Sequence, residues 1–168
     1  MTTHSQSGTR RVLFVCLGNI CRSPTGEGLL RALLAERGLE GRIEVDSAGT
    51  GAWHVGEGPD RRMAAAAAAR GYRLGGRARQ VAPQDYDRYD LIVAMDRENL
   101  ADLEAMAPPP ERRRAELRLF SEFLPPGAPR DVPDPYYGGG HGFERVLDLV
   151  EEGCAAILDH LLDGEGQG

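Results

Sequence analysis

"VLFVCLGNICRSP", residues 12–24, carries the reading of the whole chain. Val12, Leu13, Phe14 and Val15 form a short β-favouring run with no polar break, the pattern of a strand buried on both faces of a parallel sheet. A glycine-containing loop follows. Ser23 then suits the cap of a helix and Pro24 its first position, with Leu29, Leu30, Leu33 and Leu34 on one apolar stripe. Strand, tight loop and helix in this order place residues 16–22 at the carboxyl edge of a sheet, where open parallel sheets bind their ligands.

Working outward, the alternation returns. "RIEV" at 42–45 reads as a strand, the alanine run at 64–69 as a helix capped by Asp60, and "LIVA" at 91–94 as another strand. A helix from Arg97 to Met106 and a short strand "LRLF" at 117–120 come next. Phe143, Val146, Leu147, Val150, Cys154, Ile157, Leu158, Leu161 and Leu162 recur at three and four residues, which predicts a long last helix with one face on the sheet. Strands alternating with helices imply a parallel α/β sheet with right-handed crossovers. The Pro- and Gly-rich stretches at 107–110 and 125–142 read as surface loops, since neither separates two parts large enough to fold alone.

A chain of 168 residues is one ordinary domain, and its net charge of -6 argues against a general nucleic-acid binder, which needs surplus basic residues along one face. All 20 basic residues are Arg. The missing lysine excludes a Schiff base and a P-loop nucleotide site of the GxxxxGK kind. Three cysteines are too few for a disulfide scaffold and point to a reducing compartment. Residues 1–11 are polar, and "VLFV" is too short for a signal h-region or a membrane span, so the expectation is a soluble cytoplasmic protein, with signal-independent export left open.

In the loop, backbone amides and the positive end of the helix can converge on an anion. Arg22 adds a rigid fork of donors that grips two phosphate oxygens at once. The same groups would stabilise a thiolate on Cys16, a nucleophile that needs no neighbouring base. The plain alternative is a small buried hydrophobe at a strand end, which is what most free cysteines are.

The longer string favours the first reading. "CLGNICRS" fits a CxxxxxR signature followed by Ser or Thr, and "VLFVCLGNICRSP" resembles the low-molecular-weight protein tyrosine phosphatase family in its bacterial form. The resemblance continues through "DSAGTGAWHVG" at 46–56, "ARQ" at 78–80, "DLIVAMD" at 90–96 and "DPYYGG" at 134–139, and so covers residues 11–162. It implies a single three-layer α/β domain over 11–163, with a four-stranded parallel sheet in the order 2-1-3-4; the polar residues 1–10 read as a disordered tail and 164–168 as a frayed end. It further implies hydrolysis of phosphotyrosine, with no metal or cofactor.

The site residues implied by the resemblance are Cys16 as nucleophile, Arg22 on the phosphate oxygens and Asp134 as general acid and base. Leu17, Gly18, Asn19, Ile20, Cys21 and Ser23 complete the phosphate loop. Asn19 would hold the loop's shape, supported by Ser47, and Ser23 would donate to the Cys16 sulfur as it leaves; turn residue and helix cap are the bland roles for Asn19 and Ser23, and both can coexist. Asp131, three residues before Asp134, is a decoy. Trp53, Tyr136 and Tyr137 would wall a slot for the phosphotyrosine ring, against core packing as the alternative, and His54 would either line the rim or have no role. Many relatives carry a histidine shortly before "ARQ", where this chain has Gly75 and Gly76, with Arg79 as a conceivable substitute. Two cysteines in one loop, Cys16 and Cys21, could form a protective reversible disulfide.

Three rivals share part of this pattern. A thioredoxin-coupled arsenate reductase needs two further cysteines in relay, and Cys154 falls instead on an apolar stripe. A protein-arginine phosphatase carries Thr at the position of Ile20. A non-catalytic phosphotyrosine-binding module would have no need of Cys16, Arg22 and Asp134 together. Expected partners are phosphotyrosine proteins, among them a bacterial tyrosine kinase or a host protein, with phosphate or another oxyanion in the loop and neither nucleic acid nor membrane.

Overall fold

The computed structural model describes residues 9–137 and 141–167, without the side chains of Tyr137 and of residues 164–167. Four strands, β1 (Arg10–Cys16), β2 (Ile43–Gly49), β3 (Leu91–Ala94) and β4 (Glu116–Leu119), form one parallel sheet in the order β2-β1-β3-β4. The helices are α1 (Arg22–Arg37), α2 (Arg61–Ala69), the short α3 (Asp85–Arg88), α4 (Arg97–Met106) and α5 (His141–Gln167).

Strand β1 sits between two neighbours, and its apolar run is buried on both faces as expected. Val12 and Phe14 join the core cluster that contains Leu30 of α1, Met63 of α2 and Leu147 of α5. Leu13 and Val15 join the other, with Tyr86 of α3 and Leu103 of α4. Three layers result from a period of two along a single strand.

Three boundaries differ from the expectation. Helix α1 begins at Arg22, after Cys21, and no side chain caps it, so Ser23 lies inside the first turn with its hydroxyl committed elsewhere. Arg10 already belongs to β1, while residues 1–8 of the expected tail lie outside the described residues. Helix α5 continues through Gln167, past the glycines where its end was expected. Asp60 does cap α2, accepting the amides of Arg62 and Met63 at 2.8 and 3.2 Å. Among the described residues no helix is long and apolar enough to cross a membrane.

Candidate active site

The sheet delivers Cys16 to its carboxyl edge, and residues 17–21 turn there before α1 begins. Asn19 takes the left-handed conformation, with φ of +59°, that an amide side chain tolerates better than most. The loop rests on the end of β2: the amides of Thr50 and Gly51 donate to the carbonyls of Cys16 and Leu17, each at 2.9 Å. Gly49 is needed at this crossing, because a Cβ there would lie 2.7 Å from the Leu17 carbonyl oxygen.

At the base of the loop, the Cys16 sulfur lies 3.0 Å from Ser23 Oγ and accepts the Asn19 amide at 3.3 Å. Ser23 Oγ is itself an acceptor from Asn19 Nδ2 at 2.9 Å, so its one proton goes either to the sulfur or to the Ala48 carbonyl at 3.3 Å. A thiolate therefore finds two donors already in place. Asn19 Nδ2 also donates to Ser47 Oγ at 3.0 Å, and Asn19 Oδ1 accepts the Arg79 amide at 2.9 Å.

Arg79 thus supports the loop through its backbone. Its guanidinium turns away to Asp85 and Asp46, so it does not replace an imidazole. Gly75 and Gly76 line a small void of about 30 Å³ together with Asn19, Glu27 and Ser47, a space of the order one water needs.

Glu27 is a site residue that the sequence did not reveal. Its carboxylate, buried beneath the loop, accepts the Ser47 hydroxyl at 2.6 Å and pairs with Arg31 one helical turn on. Burial pushes the Glu27 carboxyl up, outweighing the Ser47 and Arg31 contacts that favour its charge. A raised acid favours the protonated folded state, so Glu27's contribution to stability is complete below its ordinary value and is lost as pH rises through the raised one. Glu27→Gln removes that titration while keeping an acceptor for Ser47. Melting curves should show the gap between variant and wild type moving in the variant's favour from mildly acid to neutral pH; a constant gap would contradict this.

Arg22, only 3 % exposed, forms the far wall of the loop. One of its amino groups donates to Asp96 at 2.6 Å and to the Val132 carbonyl at 3.0 Å; the other reaches Asp134 at 3.5 Å. Burial works against its charge, and Cys16, Asp96 and Asp134 outweigh burial. Asp96 is the second residue missed. It caps α4 by accepting the Asn99 amide at 2.7 Å, which its place before a helix announces, while its grip on Arg22 spans 74 residues of sequence.

Cys16, Leu17, Gly18, Ile20, Cys21, Arg22, Trp53, His54, Asp134 and Tyr136 line one cavity of about 330 Å³. Asn19, Ser23 and Ser47 lie beneath it, and the Tyr137 side chain is outside the described residues. Asp131 is held elsewhere, on the amide and guanidinium of Arg97 at 2.9 to 3.1 Å. Trp53 is 74 % exposed at the mouth, and Tyr136 meets His54 edge to face at 5.7 Å. His54 is therefore part of the wall: it sits so close over Gly18 that a Cβ there would lie 2.9 Å from its ring. All three cysteines are free thiols. Burial above all, with Asp60 adding to it, pushes the Cys21 thiol well up, and burial pushes Cys154 up to about 12. Cys154 lies in the core.

A cysteine at the end of an inner strand of a parallel sheet, followed by a short loop and an arginine at a helix N-terminus, forms an oxyanion site with a built-in nucleophile, the arrangement that cysteine-based phosphatases use. Residues 11–166 match the family model described as low molecular weight phosphotyrosine protein phosphatase, and the chain belongs to that family of cysteine-based protein-tyrosine phosphatases. It is 48% identical over 152 residues to the low molecular weight protein-tyrosine-phosphatase of Streptomyces coelicolor, covering 89% of this chain and 92% of that one. The crystal structure of a protein tyrosine phosphatase from Entamoeba histolytica, with Hepes in its active site, superposes with a TM-score of 0.86 at 36% identity over 93% of this chain and 99% of that one. A Drosophila arginine phosphatase superposes with a TM-score of 0.83 at 34% identity over 89% and 96%.

Proposed function

We propose that the chain hydrolyses phosphotyrosine in proteins through a phosphocysteine on Cys16. The Cys16 sulfur attacks phosphorus in line, the bond from phosphorus to the phenolic oxygen breaks, and Asp134 gives its proton to that oxygen, releasing tyrosine. Asp134, now a carboxylate, takes a proton from a water that attacks phosphorus; the bond from sulfur to phosphorus breaks and inorganic phosphate leaves. Ser23 donates to the departing sulfur, while Arg22 and the loop amides hold the equatorial oxygens, where the charge resides. The observation that carries this reading is the Cys16 sulfur held by Ser23 and Asn19 in a cavity that Arg22 and Asp134 also line.

Trp53, His54 and Tyr136 suit an aryl phosphate, whose ring spans the depth between the aromatic mouth and the sulfur. Phosphotyrosine proteins, a bacterial tyrosine kinase or a host protein among them, are the substrates in view, acted on in the cytoplasm. The likeness to an arginine phosphatase favours phosphoarginine as a second reading. Ile20 on the cavity wall weighs against it, since an apolar side chain suits an aromatic substrate better than a guanidinium. Cys154, buried in α5, does not suit the outward disulfide relay of an arsenate reductase.

Phosphate release from a phosphotyrosine peptide in EDTA, with a phosphoarginine substrate alongside, tests the proposal. Release from phosphotyrosine is the expected result. Faster release from phosphoarginine would favour the second reading, and release from neither would overturn both.

A further inference from the structure

We propose that Arg62, outside the cavity, is a positioning residue that locks the Asp134 loop to the phosphate loop. Its guanidinium carbon lies 5.6 Å from the centre of the Tyr136 ring and 5.0 Å from that of Phe143, the buried aromatic in the first turn of α5. A cation placed between two ring faces attracts both. The guanidinium is held there by a two-point pair with Asp60, at 3.2 and 3.0 Å.

Asp60 is itself fixed on the phosphate loop, since its amide donates to the Ile20 carbonyl at 2.8 Å while its carboxylate caps α2. On the other side, the Tyr136 amide donates to Asp134 Oδ1 at 3.0 Å, so the backbone that carries the ring also orients the carboxyl. Pro135 lies against the same turn of α5, 3.2 Å from where a Cβ on Gly142 would stand. The connection runs Ile20, Asp60, Arg62, Tyr136, Asp134. It sets the carboxyl relative to the loop that holds the substrate's phosphorus. Arg62 touches neither sulfur nor phosphate; its effect goes through the Tyr136 ring.

This inference rests on Asp134 as the general acid, and the test separates the two. A general acid matters for a leaving group as basic as phenolate, of pKa about 10, and little for one that departs unprotonated. We would measure kcat/KM, which reports the transfer to sulfur, with phenyl phosphate and with 2,4-dinitrophenyl phosphate for the wild type, Arg62→Ala, Arg62→Lys and Asp134→Asn. The ratio of the two substrates within one preparation is unaffected by any unfolded fraction, and the exposed Arg62 side chain, at 52 %, has little packing to lose.

Arg62→Ala should lower kcat/KM for phenyl phosphate about fivefold while leaving the dinitrophenyl ester within about twofold, and Arg62→Lys, still a cation over the rings, should recover most of the loss. Equal falls for both esters would make Arg62 part of a binding wall only, and no change would leave it without a role at this site; either result overturns the proposal while the phosphatase reading stands. Equal falls for Asp134→Asn would remove the acid from Asp134 and this proposal with it.

Discussion

Cys16→Ser should abolish turnover of a phosphotyrosine peptide, with kcat down by at least about 10⁴-fold, while the peptide still binds. The reason lies in the contacts of the sulfur. Ser23 Oγ and the Asn19 amide are its hydrogen-bond partners, and neither is a base. A cysteine sheds its proton readily enough to attack unaided; a serine hydroxyl in the same place finds nothing to take its proton. Arg22 and the loop amides are untouched by the change, so anion binding survives. Steady-state kinetics and isothermal titration with the same peptide check both halves. Retained turnover would move the nucleophile off Cys16, and loss of peptide binding along with turnover would contradict an anion site held by Arg22 and the loop amides.

The second large effect belongs to Asp134. Asp134→Asn keeps the shape of the group and its acceptance of the Tyr136 amide at 3.0 Å but cannot give up a proton, so turnover of phosphotyrosine should fall by about 10² to 10⁴-fold. Steady-state kinetics of the two proteins with a phosphotyrosine peptide check this, and undiminished turnover in Asp134→Asn would contradict the assignment. Asp131→Asn, by contrast, alters a group held by Arg97 at the start of α4 and should leave the chemistry in place.

The sheet was legible because its signal is local. Val12 to Val15 carry no polar break, and each is fully buried between two neighbouring strands and two helical layers. "LIVA" and the helix from Arg97 to Met106 sit where the residue pattern places them. Ser23 was misread as a cap for a physical reason. Its hydroxyl is drawn to the sulfur, the Asn19 amide group and the Ala48 carbonyl, and α1 starts earlier, at Arg22, with no side-chain cap.

The loop motif made Cys16 and Arg22 legible together, since their spacing is the length of the turn itself. What supports them was hidden by distance in sequence. Asp96 reaches Arg22 from the end of the third strand, and Glu27 reaches Ser47 across from α1 to β2. An aspartate before a helix reads as a cap and a glutamate in a helix as a solvated face; only packing gives each its second partner. Gly75 and Gly76 were visible as a departure from the family, but not its consequence. Asn19 meets Ser47, Ser23 and the Arg79 amide without an imidazole.

The central claim is a phosphate covalently carried on one named sulfur, and the most direct test is to trap it. Asp134→Asn mixed with 2,4-dinitrophenyl phosphate should load quickly, because that phenol leaves without an acid, and empty slowly, because no base activates water. Acid quenching followed by peptide mapping by mass spectrometry should place the phosphate on the Cys16 peptide. Phosphate on any other residue, or none after a burst of released dinitrophenol, would contradict the account.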